Sequence, residues 1–92
     1  PSVRRDLALL VAEDVSFQAI KQCIEGCNED LIKAINVFDI YRGQGVEQGY
    51  KSVALGLTMQ DNTQTLTDSE IDAIVNKVLD ALSNNISAKL RD

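Results

Sequence analysis

The chain contains no histidine and only two cysteines among its 92 residues. Without histidine the commonest general base is missing, and so are Ser/His and Cys/His nucleophile pairs, which leaves any catalysis to Asp, Glu or Lys. Cys23 and Cys27 lie four apart with no histidine to complete a metal site, and this spacing reads as buried thiols on one helix of an intracellular protein. No apolar run approaches the roughly 20 residues that span a bilayer. The chain starts at Pro1, with no initiator Met and no basic segment backed by an apolar stretch. These absences read as a soluble, untargeted, cytoplasmic chain without a membrane partner.

An apolar content of 45% is ordinary for a globular fold, and the length implies a single domain over residues 1–92. A domain of this size buries only about 60 to 65% of its unfolded surface, so its stability is modest unless a larger protein supports it, and the chain reads as a fragment of a larger subunit. Net charge is −5, which counts against nucleic-acid binding if averaged over the surface. Placement matters more. Arg4, Arg5, Lys33, Arg42, Lys51, Lys89 and Arg91 fall in predicted strands or at their ends, and only Lys21 and Lys77 on helices. Most acids fall on helices and loops, so the sheet side is expected to be the less acidic one.

Val3 to Val11 alternates, with Val3, Leu7, Leu9 and Val11 on one face and Arg4, Asp6, Ala8 and Leu10 on the other, which predicts strand β1. Ser16 is an N-cap for helix α1 over 16–27, where Phe17, Ile20 and Ile24 recur at helical spacing and Gly26 and Asn28 are terminators. Leu31 to Tyr41 is β2. Its alternation puts Ile32, Ala34, Phe38 and Ile40 on one face and Ile35, Val37, Asp39 and Tyr41 on the other, with Asn36 a candidate bulge. Tyr50 to Met59 is β3, with Val53, Leu55, Leu57 and Met59 inward and the small residues Ser52, Ala54, Gly56 and Thr58 outward. Thr67-Asp68-Ser69-Glu70 is a capping box, and Leu66 and Ile71 hold the two positions of a hydrophobic staple. Helix α2 follows, with a stripe from Ile71 to Ile86, and Ala88 to Arg91 is a short β4.

The order βαββαβ with two amphipathic helices predicts an α+β, ferredoxin-like sandwich: a four-stranded antiparallel sheet with both helices on one face and the other face open. With β1 and β3 central, the floor of the open face comprises Asp6, Ala8, Leu10, Ser52, Ala54, Gly56 and Thr58. Asp39 and Tyr41 stand at its rim, and Arg91 on the far side. A shallow hollow edged by an aromatic ring, a carboxylate and a guanidinium suits a flat polar ligand such as a nucleobase.

Three stretches, Phe38-Asp39-Ile40-Tyr41-Arg42-Gly43, Gly49-Tyr50-Lys51-Ser52-Val53-Ala54 and Leu66-Thr67-Asp68-Ser69-Glu70, together with the opening Pro1-Ser2-Val3-Arg4-Arg5-Asp6-Leu7-Ala8, carry a resemblance over nearly the whole chain. They resemble the ferredoxin-fold anticodon-binding domain at the C-terminus of the bacterial phenylalanyl-tRNA synthetase β subunit. The resemblance implies a domain that grips the anticodon loop of phenylalanine tRNA, with the first anticodon base, a guanine, stacked on the residue matching Tyr41. It further implies base contacts by Asp39, Ser52, Ala8 and a C-terminal arginine, matched by Arg91. The C-terminus can slip one position against the family pattern, and Lys89 is then the alternative. By the same resemblance the parent enzyme is an α2β2 heterotetramer using ATP and magnesium, with its active site in the α subunit and no cofactor in this domain.

Elementary chemistry explains why these residue types suit the task. Guanine is the only standard base with two adjacent donors on its Watson–Crick edge, so one carboxylate accepting both selects it. Asp39 can therefore discriminate where a lysine could not. Arg4, Arg42, Lys51 and Lys89 are candidates for phosphates. The glycines of 43–49, spaced G-x-G-x-x-x-G ahead of a strand, miss the dinucleotide fingerprint and read as hairpin glycines. Glu13-Asp14 and Glu29-Asp30 read as turn and cap residues rather than catalytic pairs or a metal cage. A different class of function on the same architecture, a small-molecule regulatory or protein-docking domain, stays open on the residues alone.

Overall fold

The computed structural model describes residues 1–91. Its elements follow the order β1 (Val3–Ala12), α1 (Phe17–Glu25), β2 (Ile32–Tyr41), β3 (Tyr50–Met59), α2 (Asp68–Ile86) and β4 (Lys89–Leu90). The strands form one antiparallel sheet in the order β2-β3-β1-β4, the ferredoxin-like α+β arrangement with β1 and β3 at the centre.

Local chemistry sets the helix starts. Ser16 accepts a hydrogen bond from the Ala19 amide at 3.0 Å, satisfying one of the free donors at the head of α1. At the head of α2 the capping box is complete: the Thr67 hydroxyl accepts from the Glu70 amide at 3.1 Å and the Glu70 carboxylate accepts from the Thr67 amide at 2.9 Å. Helix α1 ends earlier than the predicted 27, because Gly26 caps it in right-handed conformation and Asn28 makes the left-handed turn at φ 53°. Helix α2 closes on Ser87, at φ 54°, without a glycine.

Core residues of the two central strands, among them Leu9, Val11, Leu55, Leu57 and Met59, pack against Ile20, Ile24, Ile71, Val78 and Leu82 of the helices. The alternation of β1 and β3 holds without interruption from Val3 opposite Met59 to Ala12 opposite Tyr50. Strand β2 is different. Its register against β3 slips between Ile32 and Ala34 and again between Val37 and Asp39, so the bulges fall near Lys33 and Phe38 rather than at Asn36. The two slips cancel in parity. Ile32 and Ile40, opposite Met59 and Val53, keep their predicted face, as do Asp39 and Tyr41, opposite Ala54 and Ser52. The middle is inverted: Ile35 and Val37 join the core face, and Ala34 and Asn36 turn to the open one.

The cysteines are also less enclosed than their spacing suggests. Both are free and only partly buried, because α1 presents them beside α2 rather than beneath it: the Cys27 thiol lies near the Lys77 carbonyl and the Asn85 amide near Cys23. Burial of the Cys27 thiol pushes its pKa up.

Candidate nucleic-acid interface

The open face is built in cross-strand rows, because residues paired across antiparallel strands point the same way. One row runs Asp39, Ala54, Ala8, and next to Ala8 comes Arg91, whose amide donates to the Ala8 carbonyl at 2.7 Å. The adjacent row runs Tyr41, Ser52, Leu10, Lys89. Ala8 and Ala54 put small side chains at the centre of the first row, and Ser52 in the second row is buried.

Arg91 does not stay at the far side of the face. Its guanidinium reaches across the face to the Tyr41 ring, 5.1 Å from the centroid, and to within 3.6 Å of where a Cβ on Gly45 would sit. That is a cation–π contact, bridging the two edges of the sheet. The ring is held from behind, since the Tyr41 hydroxyl donates to the Gln44 carbonyl at 2.8 Å. This hydrogen bond closes the turn in which Gly43 takes φ 129°, a conformation side-chain-bearing residues rarely adopt. The loop glycines thus shape the hairpin that fixes Tyr41. Sequence spacing placed Arg91 on this face but gave no measure of its reach.

A second aromatic-cation pair lies beyond Asp39. Arg4 donates from Nε to Asp6 at 2.8 Å and stacks on Phe38, 5.1 Å from that ring's centroid. Phe38, half-exposed at the second bulge of β2, was assigned by simple alternation to the face of Ile40. The bulge frees it to meet Arg4. Gly56 makes room: a Cβ there would fall 2.6 Å from Arg4 Nε.

The four candidate phosphate ligands divide. Arg4 and Lys89 lie on the open face. Lys51 pairs with Val11 and is only 9% exposed, its stem laid along the helix side, so it falls outside the open face. Arg42, one residue past Tyr41 and of opposite parity, donates to the Glu13 carboxylate and holds the Glu13 pKa below the usual carboxylate value. Charge on the open face is therefore close to balanced, with Arg4, Lys89 and Arg91 set against Asp6 and Asp39, on a molecule whose net charge is −5. Among the described residues no three carboxylates or thiols converge where they could hold a metal ion.

The chain matches a family model described as "Ferredoxin-fold anticodon binding domain" over residues 1–91. It is 45% identical over 91 residues to the phenylalanine–tRNA ligase beta subunit of Xanthomonas euvesicatoria pv. vesicatoria, an alignment that covers 99% of this chain. It is 46% identical over 93 residues to the beta subunit of the same ligase from Haemophilus influenzae, with all of this chain covered. The chain spans only 12% of the length of these relatives.

Proposed function

We propose, for a chain that belongs to the ferredoxin-fold anticodon-binding domain family, that the open sheet face binds the anticodon of phenylalanine tRNA and that the Asp39–Tyr41 hollow selects its first base, guanine. Binding of tRNA through its anticodon is what membership of the family brings. The identity of the base and of the tRNA is our reading of the residues.

The observation that supports this reading is the placement of the Arg91 guanidinium over the Tyr41 ring, on a face whose central rows carry alanines and whose next row carries the Asp39 carboxylate. A tyrosine whose ring face already receives a cation offers a base the same surface. The base either replaces the guanidinium or enters between the two planes once Arg91 retreats by the thickness of one ring. Stacking contributes about 1 to 3 kcal/mol whatever the base. Asp39, one row along, accepts the paired N–H donors of guanine and meets only one donor on adenine. Ala8 and Ala54 contribute by their smallness, since a larger side chain in either position would fill the hollow. The buried Ser52 hydroxyl can give or take one further hydrogen bond. Arg4 and Lys89 are the cations of the open face available to phosphates on either side.

In this reading no chemistry occurs in the chain itself. Aminoacylation, with ATP and magnesium, takes place elsewhere in a parent phenylalanine–tRNA ligase, where the chain is part of a β subunit paired with an α subunit in an α2β2 assembly. Working beside other tRNA contacts, the face needs only weak intrinsic affinity. The test is a pair of substitutions against two anticodon stem-loops, one with guanine and one with adenine at the first position. Asp39→Ala is expected to weaken the guanine loop roughly tenfold or more and the adenine loop little, whereas Tyr41→Ala weakens both. Equal losses for the two loops with Asp39→Ala would end the specificity claim.

A further inference from the structure

The fold separates charge between its two sides. Helices α1 and α2, with the turn after α1, carry Glu25, Glu29, Asp68, Glu70, Asp72 and Asp80 against Lys21 and Lys77, and so hold four of the five net negative charges. The open face sets Arg4, Lys89 and Arg91 against Asp6 and Asp39. We infer that Glu25, Asp72 and Asp80 are specificity determinants, which act by repelling RNA phosphates from the helix side so that RNA is held only on the face that reads its bases. This rests on the anticodon reading of the open face and gives the opposite side a role in it.

Half of the six carboxylates have a structural role without RNA. Asp68 and Glu70 lie in the first turn of α2, where the positive end of the helix favours them, and Glu70 completes the capping box. Glu29 faces Lys77 at 3.8 Å, joining the end of α1 to α2. The other three have none. Glu25, Asp72 and Asp80 are exposed, and among the described residues they make no ion pair. Glu25 sits in the last turn of α1, at the negative end of the helix dipole, and no basic residue in that turn offsets it. Asp80 follows the buried Val78 by two positions, about 200° round the helix, so it points away from the sheet. Local stability accounts for none of these three charges.

Screening lets one molecule both repel and hold RNA. At ~0.15 M salt a charge is felt over about 8 Å, whereas the molecule measures 19 Å through its thinnest dimension. The helix acids therefore act on a phosphate approaching their own side and are screened from one seated on the open face. A charge of −5 spread evenly would repel RNA from every direction; this arrangement repels it from one. Phosphate contacts carry no base information, so RNA held against the helices would be bound without regard to the first anticodon base. Opposing the wrong mode of binding raises specificity as attraction to the right one does.

The core closes within the described residues, so the chain itself is the test object. Two triple variants of equal net charge are compared, with circular dichroism confirming the fold. One carries Glu25→Gln, Asp72→Asn and Asp80→Asn on the helices; the other carries Asp14→Asn, Asp30→Asn and Glu47→Gln at exposed positions between elements. Both are titrated with the guanine- and adenine-bearing stem-loops at ~0.1 M salt, where the screening length is about 10 Å, while backbone amides are followed by NMR. The helix variant is expected to bind the adenine loop about threefold to tenfold more tightly than the unaltered chain does, with new shifts on α1 and α2 and a smaller preference for guanine. The other variant is expected to keep its preference and to show no shifts on the helices. No gain for the adenine loop in the helix variant, the same gain in both variants, or a gain whose shifts fall on the open face overturns the role of the helix acids and leaves the Tyr41 site standing. Failure of the unaltered chain to bind the guanine loop overturns the anticodon reading, and this inference with it.

Discussion

Gly56 shows how much of the face depends on a missing atom. A methyl there would fall 2.6 Å from Arg4 Nε and 2.9 Å from the guanidinium carbon, so Gly56→Ala must expel Arg4 from its place between Asp6 and Phe38. Because the displaced group is the end of a flexible side chain, the fold should lose less than about 1 kcal/mol. The expected result is an Arg4 Nε–H resonance that shifts towards its free position, with a melting temperature lowered by no more than the 4 to 8 °C that about 1 kcal/mol produces in a domain of this size. At this scale the sequence was legible where one side chain acts within its own row. Asp39, Tyr41, Ser52 and Ala8 share the open face as alternation placed them. It was not legible where a long side chain crosses rows: the contact of Arg91 with Tyr41 depends on how far apart two edge strands end up, and that distance is set by the whole sheet.

Among the elements, the helix starts and the central strands could be read directly, since each rests on a local signal: a capping residue three positions from its amide, or an unbroken alternation. Thr67 illustrates the first. Its hydroxyl and Glu70 satisfy each other's backbone amides, and Thr67→Ala is expected to lower stability by about 1 kcal/mol, visible as a reduced urea midpoint with an unchanged slope. Strand β2 shows what alternation misses. Its bulges near Lys33 and Phe38 each insert one extra residue of this edge strand against the twisted β3, and nothing in the run Ile-Lys-Ala-Ile-Asn-Val-Phe-Asp announces which residue is the extra one. Two slips of one residue each, both on β2, left the strand's end, with Asp39 and Tyr41, in the predicted orientation while inverting its middle. The same bulge turned Phe38 towards Arg4.

On the whole molecule, charge is distributed rather than matched to a polyanion. The chain carries −5 and extends 45 × 22 × 19 Å, long enough for a face on which Phe38, Tyr41 and Tyr50 stand in succession. Lys51 is turned to the helix side and Arg42 is tied to Glu13, which leaves Arg4 and Lys89 as the open-face candidates for phosphates. A plot of log affinity against log salt should accordingly have a shallow slope, reduced by about 0.7 on Lys89→Ala and unaltered by Lys51→Ala. Composition alone argues against RNA; the family to which the chain belongs and the gathering of Arg4, Lys89 and Arg91 on the open face argue for it. The most direct measurement is an NMR titration of the chain with a phenylalanine anticodon stem-loop, compared with free amino acids. Shifts gathered at Ala8, Asp39, Tyr41, Ser52, Ala54 and Arg91, and absent with amino acids, are the predicted result. Shifts confined to the helix side, or caused by an amino acid and not by RNA, would contradict the account.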